Sequence, residues 1–255
     1  MRKTKIDWKL RNMYKPNLVV VESAESTQDM AGKMAADGVP SGTAVMALNQ
    51  TRGRGRSGAD WHSPPGKNLA LSVILRPVIE IRHAPLIGML ASIAVATIVD
   101  IACESSQAFL KWPNDVLVQN RKIAGILPEA RITDSSVEVI VLGVGVNVNS
   151  SVDDFPVEMG DSLTSMFIVT GKTFDLRMTS ERFLQALGEL IARVETEGPS
   201  FVPRVWEKRW AHKGHTLVRD GIKGIATGID TDGALLMKLS DGEIVRISSG
   251  AIFIA

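Results

Sequence analysis

The sequence predicts an α+β protein: a mixed β-sheet flanked by helices, followed by a small C-terminal β barrel. Three observations carry this. The segment VEVIVLGVGVNVN (137–149) is β-branched through its first half and reads as a central strand. NLALSVILR (68–76) alternates Leu69, Leu71, Val73 and Leu75 onto one face, the period of a pleated strand. The tail carries Asp-Gly at 220–221, 232–233 and 241–242. Asp-Gly between alternating apolar residues favours hairpins, because both turn positions tolerate positive φ.

The elements follow in order. Residues 1–17 are polar and basic and read as a loosely packed arm. LVVVES (18–23) is a short apolar run, consistent with a buried strand. Ser26-Thr27-Gln28-Asp29 supplies caps and a first-turn carboxylate for a helix with Met30, Ala31, Met34 and Ala35 on one face. TAVMALNQ (43–50) reads as a strand running into an Arg/Gly loop. Pro85–Cys103 is the longest apolar stretch, interrupted by Gly88, Ser92, Thr97 and Asp100; it reads as a buried helix rather than a membrane span. AFLKW (108–112), DVLVQ (115–119) and KIAGILPEA (122–130) follow closely, with a tight hairpin expected at Asn120-Arg121. Helical patterns occupy about 176–196 and 200–211. A domain boundary is expected near 211–214, leaving 18–211 as the core unit and 212–255 as the β unit.

Composition narrows the function. Among 255 residues, Lys+Arg total 29 and Asp+Glu 28, a net charge of +1, so a strongly basic nucleic-acid binder is not expected. One cysteine, Cys103, excludes an internal disulfide framework and multi-Cys zinc or iron–sulfur sites. That favours a reducing, cytoplasmic setting, and MRKTKIDWKL lacks the apolar core of a signal peptide.

Three segments carry chemistry. In Asn49–Gly58, Arg52, Arg54 and Arg56 alternate with glycines, and residues 38–59 contain no acid. Glycine permits close backbone approach and arginine offers forked donors to carboxylate or phosphate. Such a loop suits a clamp over a small anion; a solvated turn or a nucleic-acid-binding patch is the plainer reading. Lys111-Trp112-Pro113-Asn114-Asp115 places a carboxamide and a carboxylate at a strand end, where Trp-Pro is expected to be extended. Lys122 begins the returning strand and points toward the same place, or is simply a solvated hairpin lysine. Gly143-Val144-Gly145-Val146-Asn147 lacks the third glycine of a dinucleotide fingerprint. Its small residues suit close passage of a planar ligand, with Asn147 at its edge.

Taken together, GRGRSG followed by Trp61, KWPND with KIAGIL just after it, and GVGVNVN, in that order, resemble the biotin–protein ligases (biotin–[acetyl-CoA-carboxylase] ligases). GIATGIDTDGALLM (224–237) is similar to that family's SH3-like C-terminal barrel. The resemblance runs from about Val19 to the C-terminus and is to the short form, without an N-terminal DNA-binding domain. It implies a class II synthetase-like core that uses biotin and Mg-ATP. The products are biotinoyl-5′-AMP and then a biotinylated lysine on a biotin carboxyl carrier protein or domain. By motif it implies biotin contacts at Ser26, Thr27, Gln28 and Gln50, and a loop of Arg54, Gly55 and Arg56 over biotin and nucleotide. Lys122 would hold the carboxylate and α-phosphate, Asn147 would meet the adenine, and Asp115 would lie near metal or the incoming amine. No protein-held metal, direct nucleic-acid binding or membrane association is expected, and a homodimer is left open. The common Ser-Thr-Asn triplet is Ser-Thr-Gln here, and Ser57, Ala59 and Asp60 follow the Arg/Gly core where further basic residues are frequent. A lipoate–protein ligase of related fold is the nearest alternative, and an Arg/Gly-loop nucleic-acid-binding protein the alternative of a different class.

Overall fold

The computed structural model describes residues 16–104, 106–134, 136–250 and 252–254; most of the expected basic arm lies outside them. Seven strands form one mixed sheet: β1 (Asn17–Ala24), β2 (Thr43–Gln50), β3 (Leu69–Leu75), β4 (Ala108–Lys111), β5 (Asp115–Val118), β6 (Arg121–Thr133) and β7 (Ser136–Val146). Their order is β1-β2-β3-β7-β6-β5-β4. The strand expected to be central, β7, is the middle one. β1 and β2 run parallel, joined across helix α1 (Thr27–Ala36), and every other neighbour is antiparallel.

The two faces of the sheet are covered differently. Helix α1 lies on one, where Ala31 and Ala35 meet Val45, Ile74, Val139 and Val141. On the other, α2 (Ala84–Ala102) packs with α4 (Leu176–Glu197) and α5 (Phe201–Trp206). A single-turn helix, α3 (Met166–Thr170), lies between β7 and α4. By length and composition α2 is apolar enough to cross a membrane, yet its Leu86, Ile87, Leu90, Ile93, Val95 and Val99 are buried in the protein core. Cys103, just past its end, is buried, and desolvation pushes its thiol up to about 11. It behaves as a small hydrophobe.

The last five strands, β8 (Thr216–Arg219), β9 (Ile222–Ile229), β10 (Leu235–Lys238), β11 (Ile244–Ile247) and β12 (Phe253–Ile254), form a separate antiparallel sheet. All three Asp-Gly pairs sit at its reversals, with Gly221, Gly233 and Gly242 at φ between 81° and 92°. The order β11-β10-β9-β8-β12 gives an antiparallel sheet consistent with the expected SH3-like barrel, with no closing pair between β11 and β12 among the described strands. Three local expectations change. The β5–β6 reversal falls at Gln119-Asn120, both at positive φ, one residue earlier than Asn120-Arg121. The Trp112–Pro113 bond is cis and reverses the chain between Lys111 and Asp115, which pair, rather than extending it. The helix expected over 200–211 stops at Trp206 and tightens into a 3-10 turn at Glu207–Arg209.

Candidate active site

The α1-side face of the sheet changes character along β7. Val139 and Val141 pack under the helix, and the next two residues on that face are Gly143 and Gly145. Their sheet neighbours extend the change in rows. One row is Ala70, Gly145, Gly125 and Asp115; the next is Ser72, Gly143 and Leu127. Side chains from outside the sheet fill the space the glycines leave. A Cβ on Gly145 would lie 2.6 Å from Trp61 Cζ2, and one on Gly125 would lie 3.0 Å from Trp61 Cζ3. A Cβ on Gly143 would lie 2.7 Å from Gln28 Oε1. Above this floor is a cleft of about 390 Å³ lined by residues of α1, the Arg/Gly loop, Trp61, β3, β5, β6 and β7, a size suited to a small organic ligand.

At one end the cleft is lined by hydrogen-bonding groups without charge. Ser26 caps α1, its hydroxyl accepting from the Asp29 amide at 3.4 Å, and it also lines the cleft. Thr27 donates through its backbone N–H (2.9 Å) and its hydroxyl (3.1 Å) to Gln50 Oε1, and its hydroxyl lies 3.0 Å from Ser72 Oγ. Ser72 in turn donates to Gln28 Oε1 at 3.0 Å. All of these but Gln50 are nearly inaccessible to solvent, where a polar group without a partner is costly.

The other end is cationic. Lys122 and Asp115 form an ion pair at 2.7 Å, and the Lys122 ammonium lies 5.5 Å from the centre of the Trp61 ring. A bulge explains why this lysine faces the cleft. Val116 pairs with Ala124 but Leu117 pairs with Lys122, so Ile123 is the extra residue. Simple alternation would place Lys122 on the face of Ala124 and Ile126, both buried in the core; the bulge transfers it to the face of Gly125. Arg56 opens a 3-10 turn behind Gly55 and donates to Asn114 Oδ1 at 3.1 Å. Asn114 is held in turn, donating through its side chain to the Ile126 carbonyl at 2.8 Å and accepting the Ile126 amide at 2.9 Å. Burial depresses the Arg56 pKa, opposed by Asp115 and reinforced by Arg219 of β8.

Every site residue implied by the resemblance, Ser26, Thr27, Gln28, Gln50, Arg54, Gly55, Arg56, Asp115, Lys122 and Asn147, lines this one cleft, whereas Arg52 of the Arg/Gly loop does not. Asn147 is buried and donates to the Thr164 carbonyl at 3.0 Å. Two of the contributors described above, Ser72 and Trp61, were not singled out. Ser72 gave no local signal, whereas Asn114 is the strand-end carboxamide read from the sequence. Trp61 stood only as a marker of the resemblance. The Trp61 indole N–H is buried with no acceptor among the described residues. No group of three or more His, Cys, Asp or Glu that could hold a metal occurs among the described residues.

Residues 18–147 match the biotin/lipoate A/B protein ligase family, and 216–254 match the biotin protein ligase C-terminal domain. A biotin–[acetyl-CoA-carboxylase] ligase of Paracoccus denitrificans is 34% identical over 238 residues, covering 90% of this chain and 97% of that protein. The chain belongs to the biotin protein ligase family. A bifunctional ligase/repressor, BirA, of Bacillus spizizenii is 33% identical over 240 residues, 92% of this chain and 73% of that protein. Among solved structures, a biotin protein ligase from Aquifex aeolicus in complex with biotin and ATP superposes with a TM-score of 0.80 at 28% identity. It covers 94% of this chain and 99% of that one.

Proposed function

We propose that this biotin protein ligase activates biotin with ATP and transfers the biotinoyl group to one lysine of a carboxylase's biotin carrier domain. A biotin carboxylate oxygen attacks the α-phosphorus, pyrophosphate leaves, and biotinoyl-5′-AMP forms. The carrier lysine amine then attacks the acyl carbon, AMP leaves with the bonding pair, and the amine proton passes to solvent or a nearby carboxylate. The observation that carries this reading is the single cleft whose one end is neutral and hydrogen-bonding and whose other end is cationic.

Ser26, Thr27, Gln28 and Gln50 are assigned to the ureido ring, which carries both donors and acceptors. A dithiolane ring offers no such donors, so it could not exchange hydrogen bonds with this polar network as a ureido ring can, and biotin is preferred. Arg54, Gly55 and Arg56 form the loop over biotin and nucleotide, and closure over a mixed anhydride excludes water. Lys122 stabilises the carboxylate and α-phosphate oxygens, where charge develops as one anion attacks another. Asn147 is assigned to the adenine. Magnesium would come with the nucleotide, held by its phosphates and water, and Asp115 would face either that ion or the incoming amine. A nucleic-acid role is disfavoured because Arg52 and Arg54 are already paired with Glu25, Asp29 and Glu129. We further propose a core unit over 18–211 and a β unit over 212–255, acting in the cytoplasm. The test is biotin-dependent exchange of labelled pyrophosphate into ATP; exchange supported by lipoate and not by biotin would overturn the assignment.

A further inference from the structure

The three loop arginines have different partners. Arg52 meets Glu25 at 3.4 Å on the open surface. Arg56 has a neutral partner, Asn114. Arg54 meets two carboxylates from different elements, Asp29 of α1 at 2.8 Å and Glu129 of β6 at 3.1 Å. Resting on the reading above, we propose that Arg54 is an anchor rather than a ligand contact. Asp29 and Glu129 hold it and so keep the Arg/Gly loop down over the cleft, and Gln28 positions Glu129.

The geometry around Glu129 supports this. Its Oε2 accepts from Arg54 and also from Gln28 Nε2, at 3.0 Å. The Gln28 amide is fixed independently, donating to the Val141 carbonyl at 2.9 Å and accepting from Ser72 at 3.0 Å. One continuous set of hydrogen bonds therefore runs from Gln50 through Thr27, Ser72, Gln28 and Glu129 to the loop. Gln28 reaches that far because Gly143 leaves room for it. The loop is also braced within itself. Gly55 N–H donates to the Ala59 carbonyl at 2.6 Å and Trp61 N–H donates to the Gly53 carbonyl at 2.9 Å. A braced loop tied down at Arg54 carries Arg56 and Trp61 with it. Half-exposed ion pairs are individually weak, which explains why two carboxylates share the task. Glu129 and Asp29 are thus positioning residues for retention of the intermediate, acting through Arg54.

The test forms biotinoyl-5′-AMP on the intact protein, removes free nucleotide by gel filtration and follows release of labelled intermediate. Glu129→Gln and Asp29→Asn are each expected to speed release about threefold and the double variant about tenfold. The biotin dissociation constant without ATP should change less than about twofold, since no pocket-floor group is removed. Asp29 is exposed on a helix surface, so its variant tests the anchor even if Glu129→Gln folds poorly. Unchanged release from Asp29→Asn, or from the double variant, would overturn the anchor. So would biotin affinity falling in step with release, which would make Glu129 only a support for Gln28. Failure of the unsubstituted protein to form the intermediate would overturn the functional reading and the anchor with it; normal formation with unchanged release overturns the anchor alone.

Discussion

The two faces of β7 are built from alternate residues of one strand and do opposite things. Toward α2 they read Ile140, Leu142, Val144 and Val146, all buried in the main core. Toward α1 they begin alike, with Val139 and Val141, and then change to Gly143, Gly145 and Asn147. The strand geometry is continuous through the change. The difference teaches that this cleft is made by omission: side chains are removed from one face, and Trp61 and Gln28 come in from outside to reshape the space. The opposite face can remain closely packed because strand alternation uncouples the two.

That separation can be attacked directly. The largest effect is expected from Lys122→Ala, which removes the cation the bulge turns toward the cleft. Biotin-dependent pyrophosphate exchange should fall by about 10²–10³-fold, with the thermal melt nearly unchanged. A comparable loss in stability instead would mean the lysine is structural. Leu142→Ala strikes the other face, where the side chain is fully buried. It should cost about 3 kcal/mol of stability by denaturant titration, while exchange per folded molecule stays close to wild type. Loss of exchange without loss of stability would show that the faces are coupled.

Smaller effects sharpen the comparison. Gly145→Ala puts a methyl group against the Trp61 ring and should raise the biotin KM about tenfold, read from exchange kinetics, by forcing the indole off its floor. An unchanged KM would remove Trp61 from the ligand site. The smallest effect concerns a pair outside the cleft lining, where Lys67 meets Asp154 at 2.6 Å. Hydrogen bonding to Lys67 is the main cause holding the Asp154 carboxyl down at about 2, against an ordinary 3.8. A depressed folded-state pKa gives stability that is present above the unfolded value and is lost as pH falls through the folded one. Asp154→Asn should therefore destabilise by about 1 kcal/mol above pH 5, and melts of the two proteins should converge as pH falls from about 4 toward 2. Parallel curves across that range would show that the pair contributes nothing.

Strong local patterns were legible without coordinates. Period-two alternation located β3, and the run rich in β-branched residues located β7. The three Asp-Gly pairs located the turns of the second sheet. Where two turn chemistries compete, the sequence was less informative: Gln119-Asn120 rather than Asn120-Arg121 forms the reversal, because Asn120 takes the positive φ and Arg121 begins the strand. Whether the final sheet closes depends on how its edge strands lie together, which no dipeptide encodes.

The arginines mark the boundary most clearly. By itself the sequence determined that three of them alternate with glycine in an acid-free stretch, and that a lysine, a carboxylate and small residues recur in a family order. Composition and spacing are one-dimensional properties, so one chain suffices to read them. Only the tertiary structure decided which arginines line the cleft and which of those is paired with carboxylates. The acids that meet Arg54, Asp29 and Glu129, lie 25 residues before it and 75 after it. Ion pairing depends on distance in space, and that distance is set by α1 and β6 packing against the same loop.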